Sequence, residues 1–182
     1  MDALAVVELS SIARGVIASD AMAKRAPIRI LQTHPISPGK HLVVIAGGVA
    51  EVEESLAAGV AVAGGTLVDR LMLPRAHEAL VPLIGGTAAA PTLLDSVAIF
   101  ETFTVCSTVL AADAAAKAAQ VTLVDMRLGT GLGGKAFFTM SGRLEEVEAA
   151  ALAGRSAIET GLLVGIETIP APHEDLRRRL FW

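Results

Sequence analysis

The sequence repeats itself once, in order, and this duplication constrains the fold more than any other feature. Three blocks match along the chain: Asp20–Lys24 with Asp113–Lys117 at an offset of 93, Gly39-Lys40 with Gly134-Lys135 at 95, and Pro74–Glu78 with Pro170–Glu174 at 96. A period of about ninety residues is typical of fused domains rather than of a solenoid, whose repeats are shorter. The sequence therefore predicts two similar domains.

Both halves predict the same order of elements, β-α-β-β-α-β. Apolar, β-branched runs indicate the strands, and apolar positions three and four residues apart indicate the helices. The predicted strands are 4–9, 28–35, 41–46 and 67–73 in the first half and 97–103, 121–128, 136–141 and 162–169 in the second. Pro74 and Pro170 are predicted to begin a short terminal helix or turn. The predicted domains are 1–84 and 96–182, joined by a linker at 85–95.

Hydroxyl side chains precede the first helix of each half. Ser10 or Ser11 can cap that helix in the first half, and Thr102 or Thr104 can do so in the second, because a hydroxyl oxygen accepts a hydrogen bond from a free amide of the first turn. Cys106 follows the second of these caps, where the helix dipole would lower the pKa of a thiol. Since no histidine lies near it in sequence to act as a base, a nucleophilic role is not expected.

The composition excludes several classes of protein. Hydrophobic residues occupy 53% of the 182 positions, so a disordered chain is excluded. A net charge of −4 and only 3% aromatic residues argue against binding to nucleic acid. The single cysteine excludes a disulfide within the chain and a cysteine-rich zinc site. No basic leader precedes the first strand, and Pro82 and Gly85 interrupt the longest charge-free stretch, so no membrane segment is expected. Oligomerisation would explain the apolar composition.

In these features each half resembles a bacterial microcompartment shell domain. The resemblance is carried by Asp-Ala-x-x-Lys in the first helix, a strand–loop–strand with a glycine-rich tip, Glu-Val-Glu at the start of the second helix and Pro-x-x-His-Glu in the tail. It covers nearly the whole chain, twice. It implies an α/β (α+β) fold of two tandem, unpermuted, ferredoxin-like β-α-β-β-α-β domains. Chains with two such domains are similar to tandem shell proteins, whose trimers imitate the hexamers of single-domain relatives.

The resemblance implies a structural, non-catalytic protein in a microcompartment shell of the bacterial cytoplasm. Its implied partners are two further copies in a homotrimer, other shell proteins at the tile edges and small polar metabolites in a central pore. No cofactor, metal, nucleic acid or membrane is expected. The implied pore-lining residues are Ile36, Ser37, Pro38, Gly39, Gly129, Thr130, Gly131, Leu132 and Gly133, and the implied edge contacts are Lys24, Lys117, His77 and His173. The alternative is a regulatory trimer of ferredoxin-like domains that binds a small molecule, for which this chain lacks long ligand-binding loops.

The first tip carries a further resemblance within this family. The segment from Ile36 to Lys40 is similar to the tip of the iron–sulfur tandem shell proteins of propanediol compartments, in which the position of Ser37 is a cysteine. A serine hydroxyl is a hard ligand with a high pKa and does not replace a thiolate on soft cluster iron. No cluster is therefore expected at this tip.

Several other motifs have ordinary structural interpretations. The run from Gly129 to Gly134 is not a phosphate loop, because a strand rather than a helix follows it. Glu8 and Glu101 lie within apolar strands and are expected to accept backbone hydrogen bonds there. Lys40 and Lys135 follow the tips and either point into the lumen or lie along the sheet. His77 and His173 lack the neighbours that a zinc site needs.

Overall fold

Two four-stranded sheets, each covered on one side by two helices, make up the fold. The computed structural model describes residues 3–88 and 95–177. Both sheets are antiparallel, with the strand orders β2-β3-β1-β4 and β6-β7-β5-β8. The same order in both halves confirms the predicted tandem fold. Within the described ranges, no helix is long and apolar enough to cross a membrane.

The elements alternate as the sequence predicts. The first repeat contains β1 (Ala3–Leu9), α1 (Ile12–Arg25), β2 (Arg29–Ile36), β3 (Lys40–Gly47), α2 (Val49–Ala63), β4 (Leu67–Leu73) and α3 (Leu80–Ile84). The second contains β5 (Ser96–Thr102), α4 (Val105–Ala118), β6 (Thr122–Leu128), β7 (Ala136–Gly142), α5 (Leu144–Ala157), β8 (Leu163–Ile169) and α6 (Glu174–Arg177). Most predicted strand ends are wrong by one residue, and Phe103 lies outside β5.

The ends of the helices follow local chemistry. Ser11 caps α1 by accepting a hydrogen bond from the amide of Arg14 at 3.3 Å, and Thr104 caps α4 by accepting one from the amide of Ser107 at 3.1 Å. Pro74 begins a turn, which is one of the two predicted alternatives, and Pro170 begins a bend. The terminal helices themselves start later, at Leu80 and Glu174.

Strand β1 is buried on both faces, and this position explains why its residues are nearly all apolar. One face, with Ala3, Ala5 and Val7, packs on the helices of its own repeat. The other face, with Leu4 and Val6, belongs to the same buried cluster as the core of the second repeat. The outer face of the first sheet therefore shares one core with the second repeat, while the helix side of the same sheet forms a separate core.

Candidate functional site

The candidate functional site is the junction between the repeats, together with the two loop tips beside it. Glu8 lies at its centre with no solvent exposure. One carboxylate oxygen, Oε1, accepts hydrogen bonds from the backbone amides of Val105 at 2.9 Å and Cys106 at 3.3 Å. The other oxygen, Oε2, lies 2.6 Å from Nζ of Lys40. A buried charge is tolerated here because a cation and the positive end of α4 both neutralise it.

Glu8 confirms one prediction and refines it. It does accept backbone hydrogen bonds, but from a helix of the other repeat rather than from its own sheet. Lys40 lies along the sheet, where it pairs with Glu8, and Lys135 pairs with Glu101 at 2.8 Å in the same manner. Both lysines therefore follow the second of the two predicted alternatives.

The equivalent carboxylate of the second repeat is left without such a helix. Glu101 pairs with Lys135, but its side chain remains 38% exposed. The repeat offset relates the amides of Val105 and Cys106 to those of Ile12 and Ala13 at the start of α1. The contact needs a carboxylate on a first strand and the free amides of a first helix, and each repeat supplies both. Glu8 is joined to the amides of α4, whereas Glu101 is not joined to those of α1 among the described contacts.

The apolar faces of α1 and α4 show the same contrast. Val105 and Val109 of α4 are fully buried because they pack into the core shared with the first repeat. Their counterparts on α1, Ile12 and Val16, are 41% and 56% exposed, and Ile17 beside them is 53% exposed. An exposed stripe of large aliphatic side chains on a folded domain marks an interaction surface.

The tail of the first repeat also reaches the second repeat. The amide of His77 donates to Oδ1 of Asp113 at 2.7 Å, and Nζ of Lys117 donates to the carbonyl oxygen of Arg75 at 2.6 Å. Lys117 and Asp113 form an ion pair of 2.6 Å on one helix face. This network ties the first tail to α4.

Within residues 3–88 and 95–177, no tail reaches the matching network around α1. Asp20 and Lys24 form an ion pair of 2.6 Å, but both side chains are mostly exposed. His173 is exposed and lies 3.7 Å from Asp175 of its own tail. The four predicted edge residues therefore lie in two equivalent networks. The network of His77 and Lys117 joins a tail to a helix, and that of His173 and Lys24 does not.

The two loop tips lie against each other. The amide of Ser37 donates to the carbonyl oxygen of Gly129 at 3.2 Å, and the amide of Gly131 donates to Oγ of Ser37 at 3.3 Å. The side chain of Ile36 is buried, and a Cβ on Gly129 would lie 2.9 Å from its Cδ1. Position 129 must be glycine for this close approach and for its φ of +85°.

The predicted pore residues therefore divide by exposure. Ile36 and Gly129 are buried against each other within the chain. Solvent reaches Pro38, Gly39 and, on the longer tip, the three residues Thr130, Gly131 and Gly133. Ser37 and Leu132 are half-buried. The exposed part of both tips consists mainly of backbone and one hydroxyl.

Cys106 lies at the inner end of a cleft of about 470 Å³ between β4 and the second repeat. Burial, with Asp69 and Glu8 nearby, raises the pKa of its thiol well above the ordinary value. The pKa therefore moves in the opposite direction to the expected dipole effect, chiefly because the thiol is buried. Glu8, Asp69 and Cys106 place three possible metal-ligand atoms within 4.8 Å of one another. A protonated thiol and a carboxylate already bonded to Lys40 are poor metal ligands.

Sequence reasoning missed the polar chain inside the first repeat. His41 is buried, and its Nε2 lies 2.9 Å from the hydroxyl of Thr33, which lies 2.7 Å from that of Ser19. Ser19 in turn donates to the carbonyl oxygen of Gly15 at 2.9 Å. Burial, and to a smaller extent His34, lowers the pKa of His41. The sequence signal for this chain was a histidine, His41, at the start of the apolar strand β3.

Comparison with known families and proteins gives consistent matches. The family described as the BMC domain matches the chain twice, over residues 3–76 and 96–172. The bacterial microcompartment shell protein PduT of Citrobacter freundii is 40% identical over 179 residues, which cover 98% of this chain and 97% of that protein. The shell protein EutK of Salmonella typhimurium is 35% identical over 94 residues, or 50% of this chain and 57% of that protein.

Solved structures agree with these matches. A crystal structure of a microcompartment protein from Desulfitobacterium hafniense superposes with a TM-score of 0.92 and 42% identity, covering 98% of this chain and 99% of that one. The fused permuted shell protein MSM0275 of the RMM microcompartment superposes with a TM-score of 0.62 at 19% identity, covering 86% and 83% of the two chains. The second likeness concerns the fold alone.

Proposed function

Because this chain belongs to the BMC domain family of bacterial microcompartment shell proteins, we propose that three copies close into a ring of six domains that forms one shell tile. The observation that carries the proposal is a contrast between the repeats. Glu8 binds the start of α4 within the chain, whereas the equivalent Glu101 and the start of α1 are both partly exposed. The first repeat covers α4 of its own chain, and the second repeat has no α1 to cover. A second copy supplies that helix.

Such a contact is heterologous, because two different surfaces meet. Heterologous contacts form a closed ring when the rotation per domain divides a full turn, and otherwise they form an open filament. Six similar domains around one axis require three chains of two domains each. The tandem chain therefore builds a ring of alternating first and second repeats, in which every junction resembles the one within the chain.

The equivalent residues give the contacts between copies. Glu101 of one copy is expected to accept hydrogen bonds from the amides of Ile12 and Ala13 of the next copy, as Glu8 accepts hydrogen bonds from the amides of α4. Val16 and Ile17 become buried against the outer face of the second sheet, where Ile99 is only partly buried beside a small apolar cluster. Burying large aliphatic side chains stabilises association by about 1.5–3 kcal/mol each.

Around the axis of this ring the two kinds of tip alternate. Their contact within one chain supports this arrangement, since Ser37 bonds to both Gly129 and Gly131. The exposed part of the tips offers backbone amides and the hydroxyl of Thr130, which donate and accept hydrogen bonds. We propose that the passage admits small polar molecules and holds back large cofactors, and that the tile itself performs no catalysis.

The outer rim of the tile carries Lys24, Lys117, His77 and His173. Lys117 is held in place by Asp113 and the carbonyl of Arg75, and the proposed ring would hold Lys24 in the same way. A fixed cation at each corner is suited to contacts with neighbouring shell proteins, because little side-chain entropy is lost on docking. In this proposal each chain contributes two domains to the ring, residues 1–84 and 96–182.

The test is the substitution Val16→Asp. A charge in the proposed interface is expected to convert the assembly to monomers of 18.7 kDa, whereas the unmodified protein gives three times that mass by light scattering on a sizing column. The matched control is Leu152→Asp, which places the same charge on an exposed leucine of α5 and should leave the trimer intact. Circular dichroism should show both variants folded. A monomeric unmodified protein, or a trimeric Val16→Asp variant, would contradict the proposal.

A further inference from the structure

The tail helix of the first repeat, α3, covers the seam between an edge strand and a helix of the second repeat. It lies against β6 and α4 and also touches β2 of its own repeat, where the side-chain amide of Gln32 donates to the carbonyl oxygen of Ile84 at 2.8 Å. Leu80 and Ile84 are both buried in the shared core. With this cover, Leu123 on the edge strand β6 is 7% exposed.

Among the residues that the structure describes, no tail helix lies over the same seam of the first repeat. The counterpart of Leu123 is Ile30 on the edge strand β2, since each of the two pairs with the matching residue of the neighbouring strand, Met140 and Ile45. Ile30 is 39% exposed. The counterpart of Leu80 is Leu176 on α6, which is also 39% exposed rather than fully buried.

We infer that the tail of the second repeat, residues 174–180, docks over the Ile30 seam of the next copy in the ring. This inference rests on the proposed trimer and adds to it a distinct contact, a C-terminal latch made by each copy on its neighbour. The occupant of the seam is therefore a segment of a second copy of this chain. An unrelated protein or a metabolite at this place would lack the repeat relation that links Leu176 to Leu80.

The sequence of the tail fits this role. At an offset of 96, Leu176 and Leu180 take the places of Leu80 and Ile84, the two residues that α3 buries. Residue 180 lies outside the described residues, so its place is inferred from this spacing alone.

The network next to the latch fixes its register. The amide of His77 donates to Asp113 just before α3 begins. In the next copy the matching acceptor is Asp20, whose side chain is exposed and paired only with Lys24 among the described contacts. The amide of His173, just before α6, is the matching donor. The latch would thus begin with a hydrogen bond from the amide of His173 to the carboxylate of Asp20 on α1 and continue with apolar contacts on β2.

The test uses the full chain and two leucines that are both exposed. Leu176→Asp is expected to raise the protein concentration at which half the chains are assembled by about tenfold, since one aliphatic side chain loses its burial. Leu152→Asp is the matched control and should leave that concentration unchanged. Sedimentation velocity over a dilution series measures both, and circular dichroism confirms that each variant is folded.

A second measurement locates the latch directly. In a Cys106→Ala background, Ile30→Cys combined with Leu180→Cys should give covalent dimers and trimers with a short flexible bis-maleimide, whereas Ile30→Cys combined with Leu152→Cys should not. A trimer in which Leu176→Asp matches the control and the first pair fails to crosslink would overturn the latch and leave the proposed function standing. An unmodified protein that sediments as a monomer would overturn both.

Discussion

Helices α1 and α4 are the same element in two copies, yet their surroundings differ. Val105 and Val109 of α4 are fully buried, while Ile12 and Val16 in the same positions of α1 are about half-exposed. Their sequences do not explain this difference, because both helices carry the apolar face. The difference follows from position in the chain, since only the second helix has a preceding repeat to cover it. An asymmetry of this kind identifies the surface that a second copy must cover.

A second comparison, inside the domains, does depend on sequence. In the first repeat Gly15 of α1 faces the ring of His41 on β3, and any Cβ at position 15 would overlap that ring. In the second repeat the same two places hold Thr108 and Ala136, so the large residue has moved from strand to helix. The hydroxyl of Thr108 is hydrogen-bonded to that of Thr102 at 2.6 Å. Each repeat fills one volume in its own way, because cores tolerate exchanges that conserve volume.

The largest expected effect is the difference in stability lost on replacing Glu8 or Glu101 by alanine. Both variants are made in the Val16→Asp background so that the chains are monomeric. Glu8→Ala leaves a buried lysine and two helix amides without their partner and should lower the free energy of unfolding by about 3–5 kcal/mol. Glu101→Ala removes an exposed ion pair and should cost less than about 1 kcal/mol. Urea unfolding of both variants provides the measurement. Equal losses would show that the two carboxylates are not in the different settings described.

The next effect concerns the pair that fills the core. Gly15→Thr alone should lower the free energy of unfolding by about 1–3 kcal/mol, because the new side chain overpacks against His41. Adding His41→Ala reproduces the pair of the second repeat and should recover most of that loss. Thermal unfolding of the two variants and of His41→Ala alone gives the coupling between the positions. Additive effects would mean that the two repeats are not equivalent at this place.

The smallest effect is a pH dependence confined to the first repeat. Because burial lowers the pKa of His41 below its ordinary value of 6.5, the unfolded chain takes up a proton before the folded chain does. Stability should fall as the pH drops below 6.5 and level off once the buried ring is itself protonated, with a slope of at most about 1.4 kcal/mol per pH unit for one proton.

The variant with Gly15→Thr and His41→Ala supplies the control for this pH dependence. It lacks the buried imidazole, so its unfolding curve between pH 7 and pH 5 should have lost that component while keeping the contributions of the other groups. A pH dependence identical to that of the unmodified protein would assign the effect to residues other than His41.

Much of the fold could be predicted from sequence because its signals are local or repeated. The strand and helix order follows from patterns a few residues long, and the duplication follows from blocks repeated in order. The same local patterns narrowed each cap to two hydroxyl residues, of which the structure uses Ser11 and Thr104. The turn predicted as one alternative at Pro74 is present, but the helix starts at Leu80 and Glu174 were not predicted, because a proline marks where regular structure is interrupted and not where the next helix packs. The expected lowering of the Cys106 pKa was also wrong, because burial of the thiol raises its pKa, and Asp69 and Glu8, which come from distant parts of the chain, raise it further.

By itself, the sequence determined that the chain is a duplicated β-α-β-β-α-β domain, since duplication, apolar periodicity and turn residues act on neighbours along the chain. The tertiary structure alone decided which surfaces of the two copies meet. The bond from Glu8 to the start of α4 joins residues about one repeat apart, and the exposed Ile12, Val16, Ile30 and Leu176 are distinguished from buried counterparts only by what lies over them. Burial depends on the whole arrangement of the chain in space, and no local pattern encodes it.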